Sequence, residues 1–117
     1  MKLLRAYRKL VWPEIKQYLQ TPSLPLSFRI PPKYKKESEF HWQIAREYPQ
    51  RQGKYLRPTL LLLTAEAMGE KKERAIKTAA AMQISEDWLL IHVDFEDNSL
   101  LRRGKPTLHR TYGPEHA

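Results

Sequence analysis

A chain of 117 residues fits one small domain and leaves no room for two. Its 21 Lys and Arg against 13 Asp and Glu give a net charge of +8, which draws polyanions: nucleic acid, an acidic membrane surface or phosphorylated small molecules. With no cysteine, disulfides, thiolate zinc sites and cysteine nucleophiles are excluded.

At the N-terminus, Leu3, Leu4, Tyr7, Leu10 and Val11 recur at helical spacing with Arg5, Arg8 and Lys9 between them. The charges break every apolar stretch, so no secretory signal is expected and the location is taken as cytoplasmic. Pro13 suits the first turn of a second helical piece carrying Ile15, Tyr18 and Leu19. From Thr21 to Pro32 four prolines predict an extended connector, and Lys33, Lys35 and Lys36 follow it as a solvated basic run. A helix is predicted from about Glu37 to Glu47, with Phe40, Ile44 and Tyr48 as its apolar stripe.

The loop YPQRQGKY leads into LRPTLLLLTAEAMG, a helix punctuated by Pro58 near its start and Gly69 past its end. Leu60–Leu63 make it apolar nearly all round, so it is expected to be central; the run is too short to span a membrane. The last predicted helix runs from Lys72 to about Asn98. Its apolar stripe is Ile76, Ala80, Ile84, Trp88, Ile91 and Phe95, and Gln83, Glu86, Leu90, Val93 and Asp97 share the adjacent face, with Asp94 at its edge. No strand alternation competes, so the fold class is all-α.

Carboxylates at a helix C-terminus oppose its dipole, so Asp94, Glu96 and Asp97 need a reason. A bound divalent metal is one; solvated charges on an exposed last turn are the other. A basic loop, Arg102-Arg103-Gly104-Lys105-Pro106, follows directly, and acidic beside basic residues make sense with metal and diphosphate between them. An Asp–Arg surface cluster without ligand remains the alternative. A second basic element, Gly53-Lys54-Tyr55-Leu56-Arg57-Pro58, stands where the leucine helix begins and could add Lys54 and Arg57 to an anion at that helix end.

Together these segments resemble the polyprenyl synthetase family of geranylgeranyl and farnesyl diphosphate synthases. GKYLRP at Gly53–Pro58 resembles the family's G-K-x-x-R-P. LIHVDFEDNSLLRRGKPTLHRTYG at Leu90–Gly113 resembles L-x-H-D-D-x-x-D-N-x-x-x-R-R-G-x-P-T-x-H-x-x-Y-G. The similarity runs from about Leu10 to Ala117. It implies one domain, residues 1–117, forming the N-terminal part of an antiparallel isoprenoid-synthase-type bundle. It also implies condensation of isopentenyl diphosphate with an allylic diphosphate, aided by Mg²⁺, with no nucleic-acid partner. By position, Lys54, Arg57 and Arg103 would contact isopentenyl diphosphate and Arg102 the allylic diphosphate. Asp97 and Asp94 would serve catalysis and the metal, and Trp88 would be a floor for the growing chain.

Three residues or features depart from the pattern. Val93 stands at the first aspartate of the motif, and Glu86 stands where the family has histidine or glutamine near isopentenyl diphosphate. The second aspartate-rich motif is not in the 117 residues. The expectation is therefore a prenyltransferase homologue that is incomplete or inactive as this chain. The alternatives are a non-catalytic isoprenoid or lipid binder, and, on charge alone, a binder of nucleic acid or anionic surfaces. An exposed apolar face is expected to drive homo-oligomerisation.

Overall fold

The computed structural model describes residues 2–117, apart from the Leu26 side chain. Among them, α1 is Lys2–Tyr18, α2 Lys35–Gln50, α3 Leu56–Ala67, α4 Lys72–Glu96 and α5 Leu108–Tyr112. Leu101–Arg102 (β1) and Lys105–Pro106 (β2) pair antiparallel, the one exception to the all-helical expectation among these residues. This is an all-α fold of the partial isoprenoid-synthase type.

α1 does not break at Pro13. Proline removes one backbone donor, but Lys9, whose carbonyl loses it, and Pro13 itself are both exposed, so water can serve that carbonyl. Val11 and Ile15, on either side of the proline, are fully buried and hold both turns to one core. α2 starts two residues earlier than expected and runs three residues further. Pro49 sits in its last turn, packed against the core, and the loop is shorter for it.

α3 and α4 end in the same way. After α3, Gly69 adopts φ +85°, its N–H reaches the Glu66 carbonyl at 3.0 Å, and Glu70 N–H reaches Ala65 at 2.9 Å. After α4, Asn98 takes the left-handed position with φ 50°, with Asn98 N–H on Phe95 at 3.1 Å and Ser99 N–H on Asp94 at 2.9 Å. Both are Schellman closures, in which a left-handed residue lets the next amides satisfy the last carbonyls. α4 therefore stops at Glu96, and the chain turns at Asn98.

α4, and not the leucine helix, is central: it packs against α1, α2, α3 and α5. Its first half joins one core with Tyr7, Val11, Ile15 and Leu62 through Ala79, Ala80 and Ile84. Its second half joins another, where Ile91 meets Ile44, Tyr48 and Leu108. α3 buries only one face, with Pro58, Thr59 and Leu62 inside and Leu56 and Leu60 exposed. The predicted α4 stripe is buried at Ala80, Ile84 and Ile91, whereas Trp88 and Phe95 are close to half exposed. A twelve-residue helix with one neighbour on each side cannot cover all its leucines, but a 25-residue helix can reach two cores. The result is a slab of 50 × 40 × 19 Å with radius of gyration 16.3 Å, larger than the roughly 13 Å of a compact chain this long.

Candidate functional site

A cleft of about 680 Å³ opens between α1, the loop before α3, the middle of α4 and the β1–β2 turn. Six cations line it: Arg5, Arg8, Lys54, Arg57, Arg102 and Arg103. The two basic sequence elements, 45 residues apart in the chain, thus meet around one opening.

The hairpin explains how. Its two-residue loop, Arg103-Gly104, has φ of 54° and 76°. Two successive positive φ angles match the right-handed twist of short antiparallel strands, and glycine takes the second without steric cost. Arg103 does pay that cost, and its side chain is held on three sides. Nη2 donates to Asp87 Oδ1 at 2.6 Å and Nη1 to the Tyr48 carbonyl at 2.9 Å. On the third side lies Gly53, where a Cβ would come within 2.6 Å of the guanidinium. A side chain in place of the glycine of GKYLRP would push the Arg103 guanidinium away from Asp87 and the Tyr48 carbonyl.

Beneath the cleft α4 carries two fully buried aspartates, two turns apart. Asp94 accepts from Arg102 Nε at 2.9 and 3.1 Å, from Arg102 Nη2, and from the Tyr48 hydroxyl at 2.6 Å. That hydroxyl in turn accepts from Leu108 N–H at 3.2 Å, tying α2, α4 and α5 at one atom. Burial pushes the Asp94 carboxyl up, but the hydrogen bonds from Arg102 and Tyr48 outweigh it and hold the group below its ordinary range. Asp94 raises Arg102 in return, and burial with the Asp94 bond moves Tyr48 up to about 12. Asp87 goes the other way: burial lifts its carboxyl and Arg103 offsets only part of the rise.

Gln83 Nε2 donates to Asp87 Oδ1 at 3.1 Å, while Asp87 Oδ2, Gln83 Oε1 and the Tyr55 hydroxyl are buried and make no hydrogen bond. Gln83 and Tyr55 line the cleft, so its floor keeps unspent polar capacity. Arg57 pairs with Glu86 at the rim. The three ion pairs neutralise Arg57, Arg102 and Arg103, and among the described residues Arg5, Arg8 and Lys54 have no carboxylate partner. The cleft is left with an excess of three positive charges, beside the N-terminus of α3, whose dipole adds to the attraction for an anion.

A family model described as polyprenyl synthetase matches residues 39–117, two thirds of the chain. The chain belongs to the polyprenyl synthetase family. It is 40% identical over 77 residues to a geranylgeranyl pyrophosphate synthase of Geoglobus acetivorans, covering 66% of this chain and 24% of that protein. It is 46% identical over 61 residues to a geranylgeranyl diphosphate synthase of Saccharolobus solfataricus, covering 52% and 18%. A geranylfarnesyl diphosphate synthase of Aeropyrum pernix is 45% identical over 67 residues, covering 56% and 21%. The chain thus spans less than a quarter of the length of these relatives. No solved structure matches it. The family match begins at Glu39 and not near Leu10, so α1, which brings Arg5 and Arg8 to the cleft, lies outside it.

Within this polyprenyl synthetase chain, the expected diphosphate ligands Lys54, Arg57, Arg102 and Arg103 all line one cleft. Asp97 does not line it. It caps α4 in an exposed position, near enough to Arg102 for its charge to help raise that guanidinium. The donors do not fit Mg²⁺ as the resemblance implied. Val93 offers no oxygen, both Asp94 oxygens are engaged by Arg102 and Tyr48, and an ion would have to displace Arg102 to reach them. Among the described residues no three His, Asp or Glu converge as a metal site. Trp88 is 44% exposed, outside the cleft lining, and donates Nε1 to the Ala45 carbonyl at 3.2 Å, so it rests on α2. Glu86 faces the cleft but is spent on Arg57.

Sequence reasoning missed Arg5, Arg8, Tyr48, Tyr55 and Asp87. Arg5 and Arg8 are three apart, one on each side of an apolar pair, a signal that they share a helix face. Asp87 had a weaker one: a carboxylate one residue after Glu86, seven before Asp94 and therefore on the same side of the helix.

Proposed function

We propose that the cleft seats an isoprenoid diphosphate and that the protein is a homologue of prenyltransferases that join isopentenyl diphosphate to an allylic diphosphate. One observation carries this reading: the arginines and lysine of both family motifs converge on one cleft that keeps positive charge in excess. Lys54, Arg57 and Arg103 hold the isopentenyl diphosphate, and Arg102 faces the allylic side, with Asp97 outside the cleft as the carboxylate that would serve a metal there. Forked guanidinium donors suit phosphate oxygens, and Arg103, fixed by Asp87 and Tyr48, loses little freedom when it binds. Glu86 must release Arg57 or turn aside as the anion enters. These residues act as one domain in the cytoplasm.

Mg²⁺ would neutralise the leaving diphosphate in a complete site, but with Val93 and an engaged Asp94 these residues bind rather than turn over. Val93 also favours a second reading, a non-catalytic binder of isoprenoids. It places an aliphatic side chain, 41% exposed, where a carboxylate would serve chemistry. Leu56, Leu60 and Leu89 are exposed on α3 and α4. This apolar area supports homo-oligomerisation, which light scattering after size exclusion measures; a clean monomer would count against it.

Calorimetric titration with inorganic pyrophosphate and isopentenyl diphosphate tests the cleft. Saturable, salt-sensitive binding is expected, weakened by about tenfold or more in Lys54→Ala/Arg57→Ala, as for charged hydrogen bonds. Absence of binding by the unaltered protein overturns the reading. Negligible condensation at high Mg²⁺ is expected for the 117 residues; vigorous turnover would refute the second reading and the claim of weak catalysis together.

A further inference from the structure

Between α1 and α2 the chain makes a long strap, Gln20 to Tyr34, held at its root by Arg46. That guanidinium donates to the Leu19 carbonyl and, at 2.8 Å, to Thr21 Oγ1. Beyond the root no described side chain from Gln20 to Glu37 is buried. The prolines and two 3₁₀ turns, Leu26–Phe28 and Pro32–Tyr34, shape the strap, with Phe28 N–H on Pro25 and Tyr34 N–H on Pro31, both at 2.9 Å. None of its described side chains from Gln20 to Tyr34 belongs to either core.

What it exposes is unusual for water. Phe28 is 73% exposed, and Leu24, Ile30 and Tyr34 stand out with it. Scattered apolar residues on a surface need no explanation, but four exposed ones within eleven positions, on a segment whose described side chains are all exposed, make an apolar run. The same stretch carries Arg29, Lys33, Lys35 and Lys36, and no acidic residue from Thr21 to Lys36. Lys33 lies over the Tyr34 ring at 4.7 Å, so cation and aromatic face are presented together.

We infer that this strap docks the protein on an anionic lipid surface. Phe28, Ile30 and Leu24 enter the headgroup–acyl boundary, Tyr34 sits at headgroup depth, and Arg29 with the three lysines meets lipid phosphates. The charge complementarity selects the partner, because basic residues concentrate at negatively charged leaflets and apolar side chains beside them gain from leaving water. Nucleic acid would explain the lysines but leave Phe28, Ile30 and Leu24 unused. No helix of the described residues is long and apolar enough to cross a membrane, so the attachment is peripheral. The strap lies outside the cleft lining and, up to residue 38, outside the family match, so this inference stands apart from the diphosphate reading.

Co-sedimentation of the purified protein with phosphatidylcholine vesicles, with and without phosphatidylglycerol, tests it. Binding should be at least about tenfold tighter to the anionic vesicles and weaken with salt. Lys33→Glu/Lys35→Glu/Lys36→Glu should lose about tenfold or more of that binding. Phe28→Ser/Ile30→Ser should lose a similar factor with its melting temperature unchanged, since neither side chain is buried. Lys54→Ala should bind vesicles like the parent, which separates strap from cleft. Unaltered vesicle binding by the Phe28→Ser/Ile30→Ser variant would overturn the proposal. So would duplex DNA that stripped the protein from vesicles and bound that variant equally well, assigning the strap to nucleic acid.

Discussion

Along the first half of α4, Ala79, Ala80 and Ile84 meet α1 and α3 through apolar contact, with Val11, Ile15 and Leu62 sealed between them. Along the second half the helix buries two aspartates and meets α2 and the hairpin through arginines and a tyrosine hydroxyl. Apolar packing tolerates small shifts because it has no preferred direction. Buried ion pairs tolerate few, because each charge left without its partner costs several kcal/mol. The apolar half holds α1 and α3 against α4 behind the cleft, and the polar half fixes Arg102 and Arg103, which line it.

The strongest test of that contrast is Arg103→Met. It leaves Asp87 buried beside no cation and should cost about 3–5 kcal/mol at neutral pH in urea unfolding. Asp87 is already pushed upward by burial, and without Arg103 it rises further. A carboxyl raised in the folded state destabilises above its folded value and less below it. The penalty of Arg103→Met should therefore shrink as pH falls; a loss that stays constant with pH would place no charge on Asp87.

Leu62→Ala, in the apolar half, should cost a comparable or slightly smaller ~2–5 kcal/mol, and its cost should not vary with pH. A strong pH slope in this variant would erase the distinction between the halves. Tyr48→Phe keeps the ring but removes the donor to Asp94 and the acceptor of Leu108 N–H, with an expected loss of about 1–3 kcal/mol.

Asp94 supplies the opposite pH sign from Asp87. Its folded value lies below the ordinary 3.8, so its contribution is present above that value and is lost as pH falls through the lowered one. Asp94→Asn should flatten the acid limb of the stability profile, read by circular dichroism. The smallest effect on the site belongs to Trp88→Ala, which removes one hydrogen bond and the buried part of a half-exposed ring: about 1–3 kcal/mol of stability, and diphosphate affinity unchanged. A tenfold loss of pyrophosphate binding there would move Trp88 into the site.

Much of this arrangement was readable from residues alone where the signal is local. Gly69 after α3 marked a helix end because only a left-handed residue closes it without strain, and GKYLRP and RRGKP announced anion chemistry by composition. Asn98 carries the same punctuation in a weaker letter, and periodicity alone extends the helix through it. Pro13 misled for a related reason: its cost is local, but Val11 and Ile15 are buried on both sides of it, and the core decided for one helix. Leu60–Leu63 signalled a central helix because hydrophobicity reports the wish to be buried, not the number of neighbours available.

Short-range rules in the chain determined the helices, their closures, the type of hairpin turn and the basic character of the two motifs, because each depends on a handful of adjacent residues. Which arginine pairs with which carboxylate was decided only by tertiary structure. Asp94 reads as a metal ligand until the hairpin folds back and Arg102 arrives eight residues later, and Asp87 means nothing until Arg103 and Gly53 close over it. Charge strength follows from distance and burial, and neither exists before the helices pack.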